Sequence, residues 1–181
     1  QEKRNSISGD FAALARDLSE NEIWEEKHLF NNTDIKRMKD VEFCGTLILL
    51  YRQGIIDQTD QKPLNQAYED LQTGYTDAEN DKQHICDAII ELRKFIEDDE
   101  ILKFVKRKAQ LYTVFSVIFY LQREDENVTD VHVEKLKNFV KLYSVFDNDM
   151  DMDGKLSDEE KNIYDMLKKY KLASSEGLNK H

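Results

Sequence analysis

Little in this chain would interrupt a helix: one proline, Pro63, and six glycines among 181 residues. Sheet proteins need frequent turns, so this scarcity, with charged residues at 35%, points instead to long amphipathic helices. Cysteine is almost absent. Cys44 and Cys86 each lie in an apolar helical pattern without a second cysteine or histidine at metal spacing, which makes them buried free thiols rather than a disulfide or zinc ligands. Such usage suits a reducing cytoplasm. His28, His84 and His132 stand alone, without the partners a catalytic triad or zinc site requires. There is no long apolar run either. The longest, Thr113 to Leu121, falls far short of the roughly 20 residues that span a bilayer, and no signal-peptide pattern is present, so neither a membrane partner nor secretion is expected. Positive charge is in deficit as well. A formal net charge of -11 disfavours adhesion to nucleic acid through the whole surface, while leaving room for a local basic patch.

What is present is enough for a core: 40% apolar residues in a length that fits one helical domain over residues 1–181. Asp10 is placed to cap a helix carrying Phe11, Leu14, Ala15 and Leu18, followed by a short one with Ile23, Trp24 and Leu29. Asn31, Asn32 and Thr33 break the pattern. A short helix through Ile35 and Met38 precedes a long one from Val41 to Tyr51, apolar nearly all round, which Gly54 ends. Pro63 suits the first turn of a helix carrying Leu64, Tyr68 and Leu71, and Ile85, Ile89, Leu92 and Phe95 recur at helical spacing. Residues 109–122 are apolar on every face and should be the central element. Thr129 caps a helix through Val133, Leu136, Val140 and Tyr143, and Ile163, Met166, Leu167 and Tyr170 mark the last. The expected fold is all-α, a bundle of roughly seven to nine helices, with no repeat of solenoid period.

Between the last two helices, Asp149, Asp151, Asp153, Lys155, Ser157 and Glu160 stand at loop positions one, three, five, seven, nine and twelve of an EF-hand-like calcium loop, with Gly154 at six and Leu156 at eight. The aspartates offer carboxylates on alternate residues, Lys155 its carbonyl, Ser157 a direct or water-mediated oxygen, and Glu160 both oxygens from the exit helix. Four carboxylates this close repel one another unless a cation such as Ca2+ compensates them. Against this, Ser157 and Glu160 alone make a capping box, and aspartates suit a helix N-terminus. The entering helix also lacks the usual aromatics: Val145 and Asn148 fill their places, with Phe146 out of phase. With no second loop to pair with it, the site reads as an accessory structural one.

The opening Gln1-Glu2-Lys3-Arg4-Asn5-Ser6-Ile7-Ser8-Gly9-Asp10-Phe11, the segment Asn21-Glu22-Ile23-Trp24 and the run Ile35-Lys36-Arg37-Met38-Lys39-Asp40-Val41-Glu42 resemble the helical half of a bacterial family. It is the family named for the N-terminal domain of the GmrSD modification-dependent restriction endonucleases, and the ending from Ala173 to His181 resembles a run that precedes an arginine-rich stretch there. The resemblance implies a fragment of a larger antiphage protein, as does a start at Gln1 without an initiator methionine. It also implies a ParB-like catalytic domain outside this chain as partner. The family's Asp-Gly-Gln-Gln-Arg motif does not occur here, so nucleotide hydrolysis and DNA cleavage would belong to other segments. The expected role is therefore noncatalytic: docking, DNA contact or homo-oligomerisation. A calcium-binding helical interaction module unrelated to DNA is the alternative. Phosphoester hydrolysis by the fragment itself has least support, because outside the loop no carboxylate pair is placed near a nucleophile or phosphate cradle.

For DNA contact the candidates are Lys103, Lys106, Arg107 and Lys108, the densest basic run, bracketed by Phe104 and Tyr112. Lys36, Arg37 and Lys39 form a smaller cluster, and Arg4 and Asn5 could reach toward DNA phosphate or the catalytic domain. The competing reading of each is a solvated helix face or an ordinary ion pair.

Overall fold

The computed structural model describes residues 8–56, 60–145 and 158–176. Among these there are ten helices and no strand: α1 (Asp10–Ser19), α2 (Ile23–Glu26), α3 (Asn32–Lys36), α4 (Lys39–Gln53), α5 (Lys62–Asp70), α6 (Ala78–Ile96), α7 (Asp99–Val105), α8 (Lys108–Arg123), α9 (Asp130–Val145) and α10 (Asp158–Glu176). The fold is an all-α bundle, and none of its described helices is long and apolar enough to cross a membrane.

Helix α8 is enclosed on one side only, with Val117 and Tyr120 45% and 61% exposed, so its all-round apolar sequence does not place it at the centre of the bundle. It packs on α4, α6 and α7, and Leu111, Phe115, Ile118 and Phe119 on it are fully enclosed. Phe115 meets the rings of Trp24, Phe43 and Phe119 at centroid separations of 6.2, 6.2 and 6.0 Å, which joins α2, α4 and α8 in one aromatic cluster. The indole of Trp24 donates to the carbonyl of Leu18 at 2.8 Å, so even its polar edge is satisfied inside. Helix α1 lies along α4, its start pinned where Asp10 N–H and Phe11 N–H donate to the carbonyls of Gln72 and Leu71. Only glycine fits at Gly9. Its φ is 132°, and a Cβ there would stand 2.6 Å from the Gln72 carbonyl oxygen.

Local capping differs in detail from the sequence reading. Asp10 occupies the first helical position instead of capping α1, and its carboxylate accepts from Tyr75 N–H at 3.1 Å. Asn31, read as a break, is the N-cap of α3 and forms a capping box with Asp34. Ahead of α9, Thr129 N–H donates to His132 Nδ1 at 3.1 Å, so a histidine stands where a capping box usually has Glu or Gln. The added element is α7, whose seven residues are too few for periodicity to declare. It exists because Asp98 caps it, accepting from the N–H groups of Glu100 and Ile101, while Ile101 and Val105 drop into the core.

Helix α10 packs on the bundle through Leu167 and Tyr170. Leu167 is its one buried side chain among those described, and next to it the Tyr170 ring stands edge-on to Phe139 and Tyr143 at 5.2 and 5.8 Å. Burying one leucine is worth about 1.5–3 kcal/mol and each aromatic pair about 0.5–1.5 kcal/mol.

Candidate nucleic-acid interface

Asp98 does two things at once. Besides capping α7 it pairs with Lys137 at 2.6 Å, which holds its carboxyl below the usual range and fastens α9 alongside α7. One turn beyond Lys137, Lys141 then faces α7. On α7 Glu100 and Lys103, three apart, share a face, Arg107 follows just ahead of α8, and α10 contributes Lys171. Together with Phe104, Val140, Tyr143 and Ser144 they line an open groove of about 510 Å³. Four of its side chains are cationic and one is acidic, on a chain whose net charge is -11. Helix α8 begins at this edge with Arg107 as its N-cap and no side-chain cap bond, so its positive dipole end adds to the field.

The rings supply the groove's walls more than its recognition surface. Phe104 meets Tyr143 edge-on at 5.4 Å, Tyr143 stacks on Phe139, and Lys171 Nζ lies 5.7 Å from the centre of the Tyr143 ring. With those faces engaged, contact with a ligand falls to the cations. Beneath them Gln110, 1% exposed, donates to the Tyr143 hydroxyl at 3.2 Å and accepts from that of Tyr170, whose oxygen also lies 3.2 Å from Thr113 Oγ1.

The basic run of the sequence therefore divides. Lys103 and Arg107 line the groove, and Lys106 is exposed beside it. Lys108 turns inward: its ammonium donates to the Leu29 carbonyl and sits 4.1 Å from the centre of the Phe30 ring, and burial lowers its pKa. It is a structural cation that ties α8 to the loop after α2. Lys141 and Lys171, absent from the sequence candidates, complete the groove from distant segments. Of the smaller cluster, Lys39 pairs with Glu42 at 2.9 Å. Arg4 and Asn5 lie outside the described residues.

The candidate calcium ligands Asp149, Asp151, Asp153, Lys155 and Ser157 also lie outside the described residues, and Glu160 falls in the first turn of α10. Among the described residues no group of acidic, histidine or cysteine side chains is arranged to hold a metal ion. Asp81, the one deeply buried carboxylate among the described residues, accepts from Tyr75 Oη at 2.5 Å and Arg52 at 2.8 Å, with Arg52 also 5.1 Å from the Tyr75 ring centre. Its partners are internal, so it reads as a structural network joining α4 to α6. Burial raises the pKa of Cys44 well above normal, leaving it a poor nucleophile. Comparisons of the chain with family models, with curated proteins and with solved structures find no match.

Proposed function

We propose that this chain is a noncatalytic helical module that contacts the sugar-phosphate backbone of DNA through the groove between α7, α9 and α10. The observation that carries the reading is the gathering of Lys103, Arg107, Lys141 and Lys171 into one groove on a strongly acidic chain. Such a local field attracts phosphate without making the whole surface adhesive. Phosphate contacts position a protein on a duplex and carry no sequence information themselves. The resemblance to the GmrSD-type family gives this role a setting: a restriction-type antiphage protein in which the helical module holds DNA, docks a ParB-like catalytic domain, or assembles with a second copy, while chemistry occurs elsewhere. Replacing Lys103 and Arg107 together with glutamate should weaken duplex binding about tenfold or more and lower the salt slope by about two, whereas Lys62→Glu, on α5, changes neither. Fluorescence anisotropy across a salt series reads both quantities, and a double variant that binds like the parent removes the reading.

A second reading has its own support. Helices α9 and α10 bracket the acidic loop, and their rings Phe139, Tyr143 and Tyr170 touch, as the two helices of a calcium-binding helix-loop-helix do. Helix α10 also begins at loop position ten, which puts Glu160 in its first turn. For an unpaired loop the affinity should be weak, roughly 10⁻⁴ to 10⁻³ M. Calcium at ten times the dissociation constant should then stabilise the fold by about 1.4 kcal/mol. Magnesium should do less, and Glu160→Gln should abolish the difference. Melting curves indifferent to both calcium and chelator would leave Ser157 and Glu160 as a capping box.

A further inference from the structure

We infer that Tyr170 is the positioning residue of the groove, and that docking of α10 through it is coupled to phosphate binding. A bound polyanion holds α10 down, and an undocked α10 leaves the groove without Lys171. This rests on the groove reading above and adds a moving part to it.

Three features of α10 point this way. Leu167, Tyr170 and Lys171 seat it on the bundle, while Ile163 and Met166 remain 48% and 70% exposed. These three neighbouring positions form one seat of α10 on the bundle. Next, the Tyr170 hydroxyl is the polar key of that contact, serving both Gln110 and Thr113 on α8. Gln110 is 1% exposed and its amide is matched by two phenols, Tyr143 of α9 and Tyr170 of α10, so it senses whether both helices are seated. Finally, the residue after Tyr170 is Lys171, the one groove cation carried by α10, lying toward Tyr143. Seating the phenol therefore seats the ammonium. A phosphate that meets Lys171 together with Lys103, Arg107 and Lys141 binds the docked state more tightly than the undocked one, and by linkage it must favour docking.

The test uses the full chain, a random-sequence DNA duplex two helical turns long, and variants that keep the rings. On adding duplex, amide exchange in α10 should slow several-fold, and this protection should vanish in the Lys103→Glu, Arg107→Glu double variant. Tyr170→Phe retains the aromatic packing and should lower the salt slope by about 0.9, as Lys171→Gln does. Because the phenol acts through the lysine, combining the two should cost no more than Lys171→Gln alone. Duplex that binds through the groove while α10 exchange stays unchanged overturns the coupling. So do additive losses in the combined variant, or wild-type binding by Tyr170→Phe. Wild-type binding by the double variant of Lys103 and Arg107 is a separate result: it removes the groove reading, and this inference falls with it.

Discussion

Phe115→Ala should lower the stability of the chain by about 4 kcal/mol, since burial of a phenylalanine in a rigid core is worth about 3–5 kcal/mol. Phe115 is completely enclosed and contacts rings on α2 and α4 as well as its own helix. Those neighbours come from three separately anchored helices, so they have little freedom to close over the space left behind. In urea the midpoint should fall with the slope nearly unchanged, and the melting temperature should drop by about 10 °C. Losing less than about 2 kcal/mol would mean that Trp24 and Phe43 collapse into the cavity and that the cluster is softer than its geometry implies.

Arg52→Ala should cost about 3 kcal/mol for a different reason. Asp81 is 3% exposed, and its partners are the Arg52 guanidinium and the Tyr75 hydroxyl. Truncating the arginine leaves a buried carboxylate with one neutral donor, a defect typically worth about 3–5 kcal/mol. Arg52 is itself partly open to water, which places the expected cost at the lower end of that range. Adding Asp81→Asn should recover part of the loss, because the unpaired charge disappears while Tyr75 keeps a partner. Additive losses in a denaturation cycle of the two substitutions would show that Asp81 has found water or another cation. Neither substitution touches the groove, so duplex binding measured well below the melting temperature should be unchanged.

Helix identity was legible because burial along one chain segment leaves a local mark. The recurrence at three and four residues in α1, α6 and α9 reflects which side each helix buries, whereas the all-round apolar character of 109–122 overstated the enclosure of α8, whose Val117 and Tyr120 face water at 45% and 61% exposure. The short α7 was not legible, since seven residues give too few turns for a period and its capping aspartate looks like any surface Asp. Cap detail was partly hidden for a related reason. Asp10 fits a cap by type, but the approach of Gln72 to Gly9 sets the backbone there and frees its carboxylate for Tyr75 N–H.

The candidate site divides along the same line. Its basic run was visible as composition, and two of the four residues, Lys103 and Arg107, do line the groove. Lys108 does not, because a new helix starts there and turns its side chain toward Leu29 and Phe30. Lys141 and Lys171 were invisible as partners, since nothing near either one names the helix opposite. By itself the sequence determined an all-α chain and the buried stripe of its longer helices. Only the tertiary structure decided which cations share a groove, which is spent inside, and that α10 closes one wall through Tyr170. Periodicity records the side of a helix that leaves water, but the neighbour that covers it is chosen by packing between residues far apart in the chain.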